Sequence, residues 1–547
     1  MMQRTLAIFL AAAAACLAQH HHDPPANAVK AAARLIPNTG NLHHPVSTKI
    51  AEAQQFFDQG LRMIYGFNHG EATRSFDRAA QIDPRLAMAH WGVALALGPN
   101  INAPMDAEAH AKAWAAIQSA IRLKKYASPR ERDYIDALAA RYVADPKADI
   151  APLQHKYADA MRQLALKHSD DLDAQTLFAE SLMNLYPWKL WTLDGKPSPV
   201  TEEAVRVLES VMERDPQHMG ATHYYIHAVE ACPTPQKALA AADRLGRIAP
   251  GVGHLVHMPA HIYMRTGDYE AAARANAEAA AVDKAYLEAG GVDGIYRAYY
   301  AHNLHFLSAA YSMQGRYKLS LEAAEETGRV LGPLATVIPG IESQVVSAIL
   351  VPVRFRDWDR VLSIPEPDVK MMSIRNLWHF ARGMAYAGKG NVGSAVKERD
   401  RFREGVSNLP ADRVYGNNPE KDVMRLPLFL LDAKIAMARK DFSGAIGHLK
   451  EAVAAEDSLS YNEPPDWYYP PSREALGSVL LLAGKHAEAE AVFREDLRRN
   501  QRNGRSLFGL CESFKGQNKT DQAMLIEAQY KTAWSAADKP LRAEDLF

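Results

Sequence analysis

From residue 47 to about residue 538 the apolar residues return every three or four positions, and long alternating runs of β-branched residues are absent. That period lays an apolar stripe along a helix, so the pattern predicts an all-α chain. It lapses at 186–199, 287–293, 332–340, 408–419 and 461–471, most of them rich in Pro, Gly or Asn, which read as loops inserted between helices. The last contains Trp467, Tyr468 and Tyr469. It is too aromatic for a loose tether and is expected to pack, either over a groove or into the core. Upstream the pattern changes character. Arg4 precedes an apolar run over 6–16, and small residues follow it. This is the plan of a secretory signal, with cleavage after Ala18. The run is shorter than the roughly 20 residues that a membrane-spanning helix needs. Residues 1–18 therefore predict export, to a periplasm or to the outside. Lipid anchoring at Cys16 is the alternative, disfavoured because Ala13, Ala14 and Ala15 stand where Leu is usual. Residues 19–46, with Pro24, Pro25, Pro37 and Pro45, show no sustained period and are expected to form a disordered leader, and 539–547 reads as a tail.

The helical region repeats itself. Gly60, Ala72, Phe76, Ala79 and Pro84 set small residues at fixed intervals, an aromatic between them, and then a helix-ending Pro. Pro216 and Pro250 stand 34 residues apart (250 − 216). Gly267-Asp268-Tyr269 and Gly315-Arg316-Tyr317 supply turns between paired helices, and Gly390 with Tyr386 and Gly484 after Ala483 continue the theme. On these residues the chain resembles the tetratricopeptide-repeat (TPR) proteins over about 47–538. The resemblance implies a right-handed superhelical solenoid of helix-turn-helix units, each hiding its apolar face against the next. It also implies that one helix of every pair lines a concave groove. The string at 253–261, Gly-His-Leu-Val-His-Met-Pro-Ala-His, is similar to one carried by a group of exported bacterial repeat proteins, and that likeness implies no particular activity.

The repeat gives the histidines a register. With Pro250 at position 32 of its unit, successive units begin at Met219, Gly253 and Ala301. His223, His257 and His305 then share position 5, His254 and His302 share position 2, and His227 and His261 share position 9. Those positions form one stripe of one helix face. Gly220 and Ala309 are the two exceptions in the stripe, over a groove expected to span about 219–313. Imidazole is a good ligand for copper, zinc and iron, and an i, i+4 pair such as His223/His227 or His257/His261 can point two nitrogens at one ion. The whole set could serve two ions, similar to the helix-borne pairs of dinuclear copper proteins. Glu230, on the same stripe, could add a carboxylate or orient a ligand. Tyr224, Asn303 and Arg265 complete the candidate ligand-binding residues, and Glu180 is an outlying candidate. Pro259 must either kink the helix between His257 and His261 or make Met258 a boundary. Trp188 and Trp191 could close one end of the groove or anchor their loop. His69, His90 and His379 read as packing residues.

Composition narrows the chemistry. Lys+Arg 63 against Asp+Glu 64 leaves a net charge of -1, so no global field draws nucleic acid or an anionic membrane. Three Cys exclude a disulfide scaffold, and Cys232 and Cys511 are expected to be reduced. No phosphate-binding Gly-rich loop, Gly-x-Ser-x-Gly elbow, Cys-x-x-Cys or His-Glu-x-x-His is present, so no catalytic residue is assigned. Two readings follow. In the first, the groove binds a small-molecule or peptide ligand through a histidine-held transition metal (copper, zinc or iron), with oxidative or hydrolytic chemistry open to it. In the second, a metal-free periplasmic scaffold binds a partner protein or peptide there, and protonated His supplies positive charge below a pKa of about 6.5. His20, His21 and His22 of the leader form a separate candidate copper chelator.

Overall fold

In the computed structural model the apolar stripes fold into consecutive antiparallel helix pairs, over described residues 33–291, 295–336 and 338–547. The signal segment and the His20–His22 cluster lie outside the described residues. Among those described, the strands are Val414–Tyr415 and Asn418–Pro419, paired in one short hairpin. The chain divides into two compact units. One comprises the described residues up to 262 with 278–300, and the other 263–277 with 301–547. In the first, Ala51–Tyr65 packs on His69–Ile82, Leu172–Met183 on Thr201–Arg214, and Met219–Val229 on Leu239–Ile248. In the second, Met372–Gly388 packs on Val392–Ser407, Glu420–Ala438 on Phe442–Asp457, and Gly504–Gly516 on Thr520–Ala533. These are antiparallel helix-turn-helix pairs, and the all-α class expected from the repeat is what the described residues form in each unit.

The turn inside a pair has a recurrent chemistry. The residue just past the first helix takes a left-handed conformation, and the next N–H reaches back to a carbonyl five residues earlier. At Gly390 (φ 79°) the Asn391 N–H donates to the Tyr386 carbonyl at 2.8 Å, and at Gly484 (φ 72°) the Lys485 N–H donates to Leu480 at 2.9 Å. Phe67 fills the same place after Ala51–Tyr65, at φ 54°, with the Asn68 N–H on the Met63 carbonyl at 2.9 Å. A bulky side chain there costs roughly 1–3 kcal/mol.

Small residues set the spacing between pairs. Phe76 is fully buried with Gly60 on one side and Gly92 on the other, and a Cβ built at either glycine would come within 2.5 Å of its ring. Phe493 is held in the same way by Gly477 and Gly509 in the second unit. The same logic accounts for one gap in the histidine row, because a Cβ at Gly220 would strike the Tyr65 ring.

Two terminal expectations are corrected. Residues 33–46 are not an unstructured leader. The Ile36 N–H donates to Gln59 Oε1 at 2.7 Å, Arg62 Nε to the Leu42 carbonyl at 2.9 Å, and the Gly251 N–H to the Asn38 carbonyl at 2.8 Å. A segment without helical period orders here because its backbone polar groups find partners on neighbouring helices. The 539–547 tail is docked as well, with Leu546 and Phe547 buried and Lys434 Nζ donating to the Phe547 carbonyl at 2.6 Å. The aromatic loop at 461–471 packs as expected. Trp467 is buried with its Nε1–H on the Pro470 carbonyl at 2.9 Å, and Arg354, buried against Glu474, donates to the Tyr468 carbonyl at 2.9 Å. Cys232 and Cys511 are both buried and are not joined in a disulfide.

The glycine sandwich predicts a specific energetic difference. Gly60→Ala should destabilise by about 1–3 kcal/mol through overpacking against Phe76. Gly447→Ala, with nothing within 4 Å of the new Cβ, should stabilise by roughly 0.5–1 kcal/mol. Urea denaturation of both variants checks this, and equal shifts would dismiss the packing explanation.

Candidate metal centre

The site is built on the helix Met219–Val229, buried along its whole length. Its start is fixed by His218, whose Nδ1 accepts the Ala221 N–H at 3.2 Å. His223 and His227 follow one turn apart on one face, and Glu230 comes directly after the last turn. The next unit begins with the short helix Gly253–His257, and a second helix, Pro259–Thr266, starts after Met258. Of the two outcomes open for Pro259, the structure takes the boundary. Met258 keeps near-helical angles (φ −53°, ψ −34°), and the His261 N–H reaches the Met258 carbonyl at 3.2 Å. This tightened turn converges the flanking side chains, leaving His257 Nε2 and His261 Nε2 3.0 Å apart.

Three histidines come to one point. His223, His227 and His254 each offer a ring nitrogen within 4.8 Å of the others. The Nε2 atom of each is buried and has no hydrogen-bond partner. Two of the tautomers follow from what the other nitrogen does. His223 Nδ1 donates to the Tyr65 carbonyl at 2.6 Å, and His227 Nδ1 lies 2.7 Å from Glu230 Oε1. Both partners accept only, so Nδ1 carries the proton and Nε2 presents its lone pair. The second oxygen of Glu230 lies 2.5 Å from His261 Nδ1. One carboxylate therefore orients a histidine from each of two successive units. Burial alone would raise the Glu230 pKa, but the two imidazoles beside it, His261 and His227, hold it well below the carboxylate range.

The row does not line an open groove, which corrects the expectation for this stretch. His223 is 0% exposed, His254 3% and His227 4%. Aromatic rings cover them. Phe67 stands edge-on to His223 at 4.6 Å and stacks on His254 at 5.4 Å and His227 at 5.7 Å. Trp188 presents its edge to His227 at 6.0 Å, and Tyr299 lies 4.8 Å from His254. Tyr224 is part of this wall, buried against the rings of Tyr65, Phe67 and His223. Trp191 anchors its loop, donating to the Ala228 carbonyl at 2.7 Å. Burial drives the pKa values of His223 and His254 well below normal, and that of His227 is lowered for the same reason. The lowered values disfavour positively charged imidazoles at these three positions. Glu180 is not among them; one of its oxygens accepts from Asn184, and burial raises its pKa.

His302 and His305 belong to the second unit, on the helix Ile295–Met313. His302 stands edge-on to Phe306, and His305 is buried with its ring 6.4 Å from Tyr468. Burial pushes the His305 pKa down to about 4. Asn303 is buried on the same helix. Arg265 lies over the Tyr461 ring at 5.5 Å, lining a cavity of about 220 Å³ with Tyr461 and Asp466. Of the packing histidines, His379 is buried and pairs with Glu398 at 2.7 Å.

Sequence reasoning missed Tyr65 and Phe67, and with them a polar network. The Tyr65 hydroxyl donates to Asp173 Oδ1 at 2.6 Å, and Asp173 Oδ2 pairs with His44 Nδ1 at 2.7 Å. His218 Nε2 lies 3.3 Å from Asp173 Oδ1. Burial opposes protonation of His44, and the Asp173 carboxylate outweighs it, so the pKa of His44 is raised. Tyr65 thus has its hydroxyl in this network and its carbonyl on His223. No local pattern announces a carbonyl 158 residues away from its partner.

The lowered histidine pKa values give stability a sign. His223 and His254 stay neutral in the fold, whereas the unfolded chain protonates them near 6.5. Their contribution is complete above that pH and is lost as pH falls below it, by up to about 1.4 kcal/mol per pH unit per histidine. Glu230, depressed in the fold, adds a further loss below its unfolded value of about 4.3. Urea midpoints of the metal-free protein should fall between pH 6.5 and 5, and H223F/H254F should flatten that slope. An unchanged slope would place the acid sensitivity elsewhere.

No protein-family model and no curated protein matches the chain. Among solved structures it is similar to human IFIT1 at 12% identity over 89% of this chain and 91% of that one, TM-score 0.32. It is similar to yeast Tom70 at 10% identity over 86% and 90%, TM-score 0.29. A tetratricopeptide repeat protein from Parabacteroides merdae aligns at 13% identity over 60% and 93%, TM-score 0.30. With likenesses this distant, the chemistry of the centre follows from its own side chains: an all-α chain with three imidazoles converging among its buried residues.

Proposed function

We propose that this chain is an exported tetratricopeptide-type scaffold that holds a transition-metal ion between His223, His227 and His254. The observation that carries the reading is the convergence of three buried Nε2 atoms without hydrogen-bond partners. A buried acceptor left unpaired costs roughly 1–3 kcal/mol, and an ion at this point would engage all three at once. The neutral imidazole is the metal-binding form, and the lowered pKa values keep it so at neutral pH. Burial also separates the two readings. A site this closed admits an ion, not a peptide segment, so burial disfavours a metal-free groove that binds a partner at this row.

Three imidazoles suit zinc, copper or iron, and three protein ligands leave a position open for a water or substrate. A metal bound there would supply Lewis acidity or redox chemistry. The chain's residues have other tasks. The Tyr65 carbonyl and Glu230 hold the tautomers, and Phe67, Trp188 and Tyr299 cover the rings. Export rests on the segment 1–18, and no described helix is long and apolar enough to cross a membrane.

Full-length protein purified without an affinity tag, loaded separately with zinc, copper(II) or iron(II) and desalted, should retain at least one equivalent of one of these metals. H223F/H254F should lose that equivalent while keeping its helical circular dichroism. Clearly substoichiometric metal in every loading would overturn the reading and leave a metal-free scaffold. Glu230→Gln tests the support around the ion. Its amide cannot accept protons from both rings, so metal affinity should fall about 10- to 100-fold with the fold intact. Unchanged affinity would deny Glu230 that role.

A further inference from the structure

The histidines beside the proposed ion site remain to be explained. His257 and His261 flank the Pro259 boundary, and their Nε2 atoms stand 3.0 Å apart. Two imidazoles on one ion, each bonded at about 2.0–2.1 Å, place their nitrogens about 3 Å apart for bond angles between 90° and tetrahedral. The observed separation therefore has the bite of a chelating pair. In the metal-free protein the same separation suits one shared proton. His261 Nδ1 faces the Glu230 carboxylate at 2.5 Å, so its Nε2 is the acceptor and His257 Nε2–H the donor. Replacing that single proton by a metal ion needs no movement of either ring beyond the geometry already present.

The second pair is also joined to the first site. Glu230 takes His227 with one oxygen and His261 with the other. The ring of His254 stacks at 5.9 Å from His257, and the ring of His227 lies 6.0 Å from that of His261. The nitrogens of His223, His227 and His254 already converge on a point of their own. The chelating pair is thus additional to that set.

We infer that His257 and His261 hold a second transition-metal ion, so that the centre is dinuclear with Glu230 as the carboxylate shared by its two halves. This rests on the first ion being bound at His223, His227 and His254. It also narrows the ligand class. Two divalent ions facing one carboxylate leave an excess of positive charge in a buried place, and burial favours an anionic oxygen donor, a hydroxide or a deprotonated substrate oxygen, as a further ligand.

Stoichiometry tests it. The full chain carrying H20S, H21S and H22S, so that the leader does not contribute, is loaded with zinc or cobalt(II), desalted and assayed for bound metal. Two equivalents per chain are expected, falling to one in H257F/H261F. The milder H257Q/H261N keeps the result interpretable if the Phe pair misfolds. Cobalt(II) adds a second readout, because its visible absorption should fall by roughly half in the variant and not vanish. One equivalent in parent and variant alike would overturn the dinuclear centre and leave the first ion standing. Two equivalents unchanged in the variants would put the second ion elsewhere and also overturn it. No bound metal in the parent would remove both readings together.

Discussion

Three imidazole Nε2 atoms lie buried close together without hydrogen-bond partners, and the surrounding structure is arranged around that fact. Each is the polar end of a ring whose burial would ordinarily be avoided. Together they cost several kcal/mol at roughly 1–3 kcal/mol each, set against a net stability of about 5–15 kcal/mol for a typical domain. A chain keeps such an arrangement where something else completes it. The partners on the far side of the rings are acceptors only, a carbonyl on His223 and a carboxylate on His227, so the lone pairs stay pointed inward.

The end of one helix supplies much of this support. Within the three residues that close Ala51–Tyr65, Tyr65 offers its carbonyl to His223 and its hydroxyl to Asp173, and Phe67 lays its ring against all three histidines. Phe67 does so from a left-handed position that Gly390 and Gly484 take at equivalent turns. Arg356, Lys440 and Asn518 take the same left-handed place at other turns, so what distinguishes Phe67 is its ring, which covers the imidazoles. Because the same helix is tied through Asp173 to His44 and His218, a change at those residues is transmitted to the carbonyl that sets the His223 tautomer.

Much of this was legible before any coordinates. The repeat of 34 placed the helix pairs and aligned His223 with His257 and His227 with His261, because a solenoid carries equal register into equal position. Gly60 beside Phe76 and the inserted loops were legible for similar local reasons, whereas Gly92 on the other side of the ring was not. Other features were not. That the row would be closed over depends on Phe67, Trp188 and Tyr299, which belong to different segments. Residues 33–46 lack periodicity and looked unstructured, yet irregular backbone can order wherever neighbouring helices supply partners, as Gln59 does for Ile36. Pro259 marked a break without saying whether the flanking side chains would converge or splay.

The sequence by itself determined the helices, their pairing and the register of the histidines, since periodicity, turn residues and small-to-large packing are local or repeat along the chain. Only the tertiary structure decided which nitrogen of each ring faces inward and whether water reaches it. Those depend on single contacts between residues far apart in the chain, such as Tyr65 with His223, and on the burial that shifts a pKa, neither of which has a period to read.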